Sequence, residues 1–387
     1  MKLGFACAWG ARPELTWSHT PWSLRAALRE RAGSGDELVD LGVNYPPALR
    51  TALRAATARR HDGRWVSMWR HSRPARRYGE VAIRRTLRRT PCDIVLQIQD
   101  LAAVDPPFLL YQDLSYDVLL ERAEAPEGLV HFPTLSSDAV LRLRDRQRAL
   151  YEQAAGVLAM SRWFADHLVA RTGLPAGKVH VVHPGATAAQ DLSPATLVAA
   201  HKRRLAGPRR RLLFVGKDFR TKAGGQVVAA LAVLRRDVDP DVTLTVAGPD
   251  VWPLPGEVPA GVRFLGRRPV AEIGRLYDEH DLFVLPSRFE GFGISFVEAL
   301  AHGLPCVGRD AFAMPEIIQP GVNGDLVTDD DPAGLAGRIA ALLADPELYQ
   351  RTYDAAAAVA EHYSWPRAAA DVLTVAHTTR GHHNADR

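Results

Sequence analysis

The sequence predicts an α/β fold of two domains, each built on a parallel β-sheet with helices on both faces. Short, continuously apolar runs alternate with amphipathic stretches, which is typical of parallel strands buried on both sides. These runs form two series, separated by a Pro- and Ala-rich break at 183–208. The length of 387 residues is also ordinary for two domains.

The first series predicts the sheet of the first domain, with strands bounded by Gly, Pro, Asp or Ser. These strands are Lys2–Ala8, Ile94–Ile98, Phe108–Tyr111, Gly156–Ala159 and Val179–Val182. The 3.6-residue period of apolar side chains predicts helices between them at Trp22–Arg31, Ala139–Gln153 and Trp163–Thr172.

The second series predicts another sheet of the same kind. Its strands are Arg211–Val215, Val242–Ala247, Val262–Leu265, Leu282–Leu285, Pro305–Gly308 and Gly324–Val327. Helices are expected at Gly225–Arg236 and Asp345–Ala360. We therefore expect domains at 1–185 and 186–365, and a C-terminal helix at about 366–380 that packs back on the first domain.

Composition narrows the class of protein. The net charge of +4 suits phosphate-bearing ligands, whereas 7% aromatic residues and the absence of nucleic-acid-binding motifs argue against nucleic acid. No apolar run approaches the ~20 residues that span a bilayer. Cys7, Cys92 and Cys306 are far apart, as in a protein with reduced thiols. We expect a cytoplasmic protein, with peripheral contact to the inner membrane face left open.

The segment 286–300 carries the most informative motif. A buried strand ends at Pro286, a loop containing Gly291–Gly293 follows, and a helix is expected to begin near Ser295. Backbone N–H groups at such a helix start form a site suited to a diphosphate. Glu290 and Glu298 can accept hydrogen bonds from sugar hydroxyls. An alternative for Glu298 is a capping box with Ser295.

The string PSRFEGFG…EALAHGLPCV, with its two glutamates in an E-x7-E pattern, resembles the retaining glycosyltransferases of family 4. The resemblance implies the GT-B fold: two Rossmann-like domains whose parallel sheets face across a cleft, the first on the acceptor side and the second binding the nucleotide sugar. It implies that Glu290 contacts donor-sugar hydroxyls and Glu298 the ribose. The backbone of Gly291, Phe292 and Gly293 would also contact the donor.

A second match, LLFVGKDFRTKAGG, opens the second domain. In the family, a strand ending at the position of Gly216 is followed by two basic residues that hold the diphosphate, here Lys217 and Lys222. Lys217 stands where Arg is commoner and Ala223 where Gly is commoner. Solvated loop lysines are the alternative. Arg267, after the strand VRFLG, would lie near the nucleobase.

The acceptor-side candidates come from the first domain. Trp17-Ser-His-Thr resembles the family's first loop and helix start, which implies that Trp17, His19 and Thr20 face the donor phosphates and acceptor. His19 replaces a common Gly. After the strand Phe108–Tyr111, Asp113 is the candidate active-site polar residue and Asp117 an acceptor-side one. The alternative for Asp113 is a turn or a helix cap.

These matches imply a metal-independent retaining hexosyltransferase with no cofactor, using a nucleotide diphosphate sugar. A UDP-sugar is the first expectation, with GDP- and ADP-sugars as alternatives. The acceptor is a small molecule (a natural product or a saccharide) or is lipid-linked. Rival hypotheses are a nucleotide-sugar 2-epimerase, a pyridoxal-dependent phosphorylase and an inactive nucleotide-sugar-binding protein. Asp237, Asp239 and Asp241 could mimic a metal-binding DxD motif, but they lie in a predicted turn.

The segment Arg50–Arg89 holds thirteen arginines against two acidic residues. Trp65 and Trp69 are four residues apart and would share a helical face. A solvated helical face is the simpler interpretation. The alternative is a surface that contacts an anionic membrane or the acceptor.

Overall fold

A computed structural model describes residues 1–32, 35–61, 63–122, 132–190 and 192–385. They form two compact units. The first comprises Met1–Pro184 with Trp365–Arg387, and the second Gly185–Ser364. Each division lies one residue from the boundary that the sequence predicts.

The first unit contains a six-stranded parallel sheet with strand order β2-β1-β5-β6-β7-β8, and a separate antiparallel hairpin of β3 and β4. The strands are β1 Lys2–Ala6, β2 Glu37–Asp40, β3 Ala58–His61, β4 Arg64–Ser67, β5 Ile94–Ile98, β6 Phe108–Gln112, β7 Gly156–Ala159 and β8 Val179–Val181. The helices are α1 Thr20–Arg31, α2 Pro47–Thr57, α3 Arg73–Arg89, α4 Tyr116–Glu121, α5 Ser137–Gln153 and α6 Arg162–Ala170.

The second unit contains another six-stranded parallel sheet, with strand order β11-β10-β9-β12-β13-β14. The strands are β9 Arg211–Val215, β10 Thr243–Ala247, β11 Val262–Gly266, β12 Leu282–Val284, β13 Cys306–Arg309 and β14 Gly324–Val327. The helices are α7 Pro194–Ala206, α8 Gly224–Asp237, α9 Val270–Glu279, α10 Ile294–Ala301, α11 Met314–Ile317, α12 Pro332–Ala344 and α13 Pro346–His362.

The last helix, α14 Trp365–Ala385, belongs to the first unit. It packs against α1, and Trp365 at its start is buried. The Arg367 guanidinium donates to the His183 carbonyl oxygen over 2.6 Å, and His377 lies 3.0 Å from the Asp36 carboxylate. The chain therefore returns to the domain in which it began.

The strands β2, β3 and β4 were not predicted. β2 is a four-residue edge strand with only one fully buried side chain, so its apolar signal is weak. The hairpin carries Arg59, Arg60 and Arg64 on exposed positions, which conceals its β character. It also corrects the prediction for the two tryptophans, which do not share a helix.

Trp65 lies on β4 with its side chain 75% exposed. Trp69 lies in a 3-10 turn, is 8% exposed and packs edge-on against Tyr45 at 4.9 Å between ring centres. The prediction of one helical face bearing both rings is wrong, because the hairpin and the turn separate them.

Candidate functional site

The strand order of the second sheet reverses between β9 and β12. In open parallel sheets, the loops that follow the two strands at such a reversal diverge and leave a crevice at the carboxyl edge. Here these loops are 216–223, between β9 and α8, and 285–293, between β12 and α10. Most of the donor-side residues predicted from the sequence lie in these two loops.

Lys222 and Glu290 meet at this crevice. The Lys222 ammonium lies 2.5 Å from a Glu290 carboxylate oxygen and 3.3 Å from the Phe289 carbonyl oxygen. The two side chains are 19% and 13% exposed, so solvent reaches both but screens the pair only partly. The structure thus brings together one predicted diphosphate ligand and one predicted sugar ligand.

Gly216 and Gly248 allow the strand ends to approach this pair closely. A Cβ on Gly216 would lie 3.1 Å from the Lys222 side chain. A Cβ on Gly248, whose φ is +127°, would lie 2.4 Å from the Gly216 carbonyl oxygen. Gly248 therefore has no room for a side chain, and the Lys222 stem lies against Gly216 at the end of β9.

Lys217 comes after β9 and Arg267 after β11, at the same edge of the sheet, and both side chains are exposed. Loss of water around the ammonium, and then the nearby Arg267 charge, lower the pKa of Lys217. Arg267 itself pairs with Asp250 at 3.0 Å. Lys217, Lys222 and Arg267 thus place positive charge at this edge.

The helices α8 and α10 both start at this edge without a capping side chain. Ala223 and Gly293 are their N-cap residues, with left-handed φ values of 56° and 92°. By contrast, Ser or Asp side chains cap α3, α5, α6, α7, α12 and α13. The first-turn N–H groups of α8 and α10 are thus left without a capping side chain, and such groups can donate hydrogen bonds to an anion. Gly291 and Phe292, just before α10, are buried.

Glu298 is buried on α10. It accepts hydrogen bonds from the Ala188 N–H at 2.8 Å and the Tyr277 hydroxyl at 3.1 Å. Burial raises the pKa of its carboxyl group, and these hydrogen bonds oppose the rise. The capping box is wrong: α10 begins at Ile294, so Ser295 is inside the helix rather than at its cap. Sequence reasoning missed Tyr277, whose position on α9 matches an ordinary apolar face.

The first unit places Trp17, His19 and Thr20 at the start of α1, beyond the carboxyl end of β1. Trp17, Ser18 and His19 all have left-handed backbone, with φ of 42°, 54° and 69°. Such a conformation favours glycine, which explains why glycine is common at the position of His19. Thr20 is buried.

Asp113 is half-buried just after β6. Asp117 is 7% exposed and forms a bidentate ion pair with Arg148, at 2.8 and 3.1 Å, and it accepts a hydrogen bond from Thr172. These contacts join α4 to α5 and to the residues that follow α6. A contact between Asp117 and the acceptor stays a prediction.

Residues 199–359 match the family model described as glycosyl transferases group 1. A D-inositol 3-phosphate glycosyltransferase of Streptomyces avermitilis is 33% identical over 245 residues, which are 57% of this chain and 52% of the relative. A glycogen synthase of Mycobacterium tuberculosis is 28% identical over 270 residues, 68% of this chain and 63% of the relative. The chain thus spans about half to two thirds of these relatives.

Solved structures resemble the whole chain. A sucrose-phosphate synthase from Thermosynechococcus elongatus has a TM-score of 0.69 at 16% identity, covering 99% of both chains. Anabaena HepE in complex with UDP-glucose has a TM-score of 0.62 at 18% identity, covering 97% of this chain and 100% of HepE. All three comparisons name glycosyltransferases, and the predicted GT-B fold class is confirmed.

Over the described ranges, no helix is long and apolar enough to cross a membrane. Within the same ranges, no group of three or more His, Cys, Asp and Glu side chains is arranged to hold a metal ion.

Proposed function

We propose that this chain is a retaining, metal-independent glycosyltransferase of family 4. It transfers a hexose-type sugar from a nucleotide diphosphate sugar to a small-molecule or lipid-linked acceptor. The observation that carries the proposal is the contact between Lys222 and Glu290 at the carboxyl edge of the second sheet.

A nucleotide sugar has its diphosphate and its sugar ring directly joined, so its binding site needs a cation beside a hydroxyl acceptor. Lys222 supplies the cation and Glu290 the acceptor, and their side chains touch. Donor binding would place the diphosphate on Lys222 and turn Glu290 toward the sugar hydroxyls. The E-x7-E resemblance and the match of residues 199–359 to the group 1 family model support this assignment.

Cleavage of the anomeric C–O bond develops negative charge on the leaving diphosphate. Lys217, Lys222 and the uncapped first turns of α8 and α10 would stabilise that charge. These groups can supply electrophilic assistance without a metal ion, and this supports the metal-independent mechanism.

Glu298 is proposed to accept a hydrogen bond from a ribose hydroxyl of the donor. The Ala188 N–H and the Tyr277 hydroxyl hold its carboxylate in one orientation. A carboxylate has about four lone-pair sites, so these two donors leave capacity for a ribose hydroxyl. A UDP-sugar remains the first candidate, and HepE in complex with UDP-glucose shares the fold.

Retention of configuration is proposed to follow from acceptor attack on the face from which the diphosphate departs. No side-chain nucleophile is assigned. Asp113 remains the proposed polar residue near the transferred sugar, since it follows β6 at the carboxyl edge of the first sheet.

The test is a panel of UDP-, GDP- and ADP-sugars, with nucleotide release followed with and without candidate acceptors. A transferase releases nucleotide faster when an acceptor is present and forms a glycoside with the donor's anomeric configuration. An epimerase would instead release nucleotide or convert the sugar without any acceptor. An inactive protein would bind a nucleotide sugar and turn over none, which would refute the proposal.

A further inference from the structure

The first unit has a second candidate site, separate from the residues discussed above. It is a cavity of about 440 Å³ between the end of α2, the β3 strand, the N-terminal ends of α3 and α5, and the residues just before α5. Its polar lining includes Arg59, His71, Arg73, Arg76, Thr134 and Arg142. A volume of this size accommodates a small organic ligand.

The cavity is strongly positive. Four arginines line it, and no Asp or Glu in the described part of the chain does. Within that part, Arg59, Arg73 and Arg142 have no carboxylate within ion-pair distance, although most ion pairs elsewhere involve arginine. Burial, and then the like charge of Arg146, lower the pKa of Arg76. Like charges gathered in this way repel one another unless an anion binds between them.

The N-terminal ends of two helices add to the positive electrostatic potential of the cavity. Both α3 and α5 are 17 residues long and begin at the cavity, where Ser72 caps α3 and Ala139 lies in the first turn of α5. Each helix start carries a partial positive charge. Two such starts and four guanidinium groups therefore act on the same volume.

Two uncharged polar groups complete the wall. The Thr134 hydroxyl is buried and has no hydrogen-bond partner among the described residues, although a hydroxyl so placed usually has one. Burial, and then Arg76, lower the pKa of His71 to about 4, so this imidazole adds no charge at neutral pH. Met68, Leu135 and Leu143 form an apolar part of the lining.

We propose that this cavity binds the phosphate group of a phosphorylated acceptor. Guanidinium groups match phosphate oxygens in bidentate geometry, and Thr134 can donate one more hydrogen bond. The apolar part of the wall would contact the body of the molecule. The assignment of the ligand as the acceptor rests on the proposed function, whereas the phosphate site itself does not.

The position in the fold agrees with an acceptor. The helices α3 and α5 precede β5 and β7, so their N-terminal ends lie at the carboxyl edge of the first sheet. The loop of Trp17, His19 and Thr20 follows β1 at the same edge. A phosphate bound in the cavity would therefore lie on the edge where ligands of open parallel sheets bind.

The test compares two double variants of the full chain. Arg73→Gln with Arg142→Gln removes two exposed charges from the cavity, and neither side chain has a described hydrogen bond to lose. The matched control is Arg85→Gln with Arg88→Gln, two exposed arginines on α3 outside the lining. Equal melting temperatures would show that both variants fold.

Binding of glycerol 3-phosphate is measured by calorimetry at low salt, with UDP present to occupy the donor site and glycerol as the unphosphorylated reference. We expect saturable binding of the phosphate ester only, weakened at least about tenfold in the cavity variant and unchanged in the control. Vesicles containing phosphatidic acid form a second arm. Loss of vesicle binding in the cavity variant alone would identify a lipid-borne phosphate as the source.

No saturable binding of either probe, or equal weakening in both double variants, would overturn the site. UDP binding to the cavity variant is measured as well, so that failure of the phosphate site can be distinguished from failure of the proposed function. If UDP binds normally while the phosphate ester does not, the cavity inference fails and the donor assignment stands. If the phosphate ester binds but no nucleotide sugar is turned over, the transferase proposal fails and the phosphate site stands.

Discussion

The Lys222 ammonium and the Glu290 carboxylate lie 2.5 Å apart although 68 residues separate them in the chain. Lys222 follows β9 and Glu290 follows β12, and these strands are neighbours only because the strand order reverses there. The strand order of the sheet therefore brings these two side chains together. It places a cation beside a carboxylate that can accept hydrogen bonds from hydroxyl groups.

Replacement of Glu290 by Gln should lower transfer by about one to two decades, because a hydrogen bond to a charged group is worth about 1.5–3 kcal/mol. The side chain keeps its shape but loses its charge. The measurement is kcat/KM for the donor, with Glu347→Gln on the exposed start of α13 as the control. Unchanged kcat/KM in Glu290→Gln would exclude a sugar contact by this carboxylate.

The variants Lys222→Ala and Lys217→Ala should each turn over much more slowly than the wild type. Each substitution removes positive charge from the position of the leaving diphosphate. Lys202→Ala, an exposed lysine on α7, should have no effect. Activity should survive excess EDTA. If EDTA abolished activity and manganese restored it, the metal-free mechanism would be wrong.

Glu298 should make stability depend on pH. Its folded pKa is raised by burial, so the folded state binds more protons than the unfolded chain above pH ~4.5. The contribution of Glu298 to stability should therefore be greatest below this pH and decline as pH rises toward the folded pKa. The Glu298→Gln variant lacks this decline, so its stability relative to the wild type should increase as the pH rises above ~4.5.

The measurement is the melting temperature of both proteins across that range, together with donor affinity at pH 7. We expect weaker donor binding in Glu298→Gln. A small loss of stability with unaltered donor affinity would overturn the ribose assignment.

Gly293→Ala should destabilise the fold by about 1–2 kcal/mol or more, because the left-handed φ of 92° disfavours a Cβ. That Cβ would also lie 2.7 Å from the Phe296 ring. Gly337→Ala in α12 is the matched control, since open space surrounds it and alanine favours a helix by about 1 kcal/mol. Urea denaturation of the two variants should give shifts of opposite sign.

Trp65 and Trp69 should behave differently despite their similar sequence contexts. Trp69→Ala removes a buried ring packed on Tyr45 and should cost about 3–5 kcal/mol. Trp65→Ala removes an exposed ring and should change stability by less than about 0.5 kcal/mol. Equal losses would contradict the separation of the two rings by the hairpin and the turn.

Much of this protein follows from the sequence by itself. Four strands have the predicted bounds, because continuous apolar runs between turn residues are a local signal. They are Ile94–Ile98, Gly156–Ala159, Arg211–Val215 and Gly324–Val327. The loops that carry Lys222 and Glu290 were also predicted, each between a buried strand and a helix, and their observed ends lie within one residue of the predicted ones. The secondary structure of such a short segment is therefore determined by the residues of the segment itself.

The tertiary structure decided which of these residues meet. The Asp117 carboxylate binds Arg148 and Thr172, which no sequence pattern predicted. Glu298 looks like a helix cap, yet its partners are Ala188 and Tyr277. These contacts span 21 to 110 residues. No local pattern encodes them, because they depend on which loops the strand order brings to one edge and on how helices α4 to α6 and α9 to α10 pack beneath it.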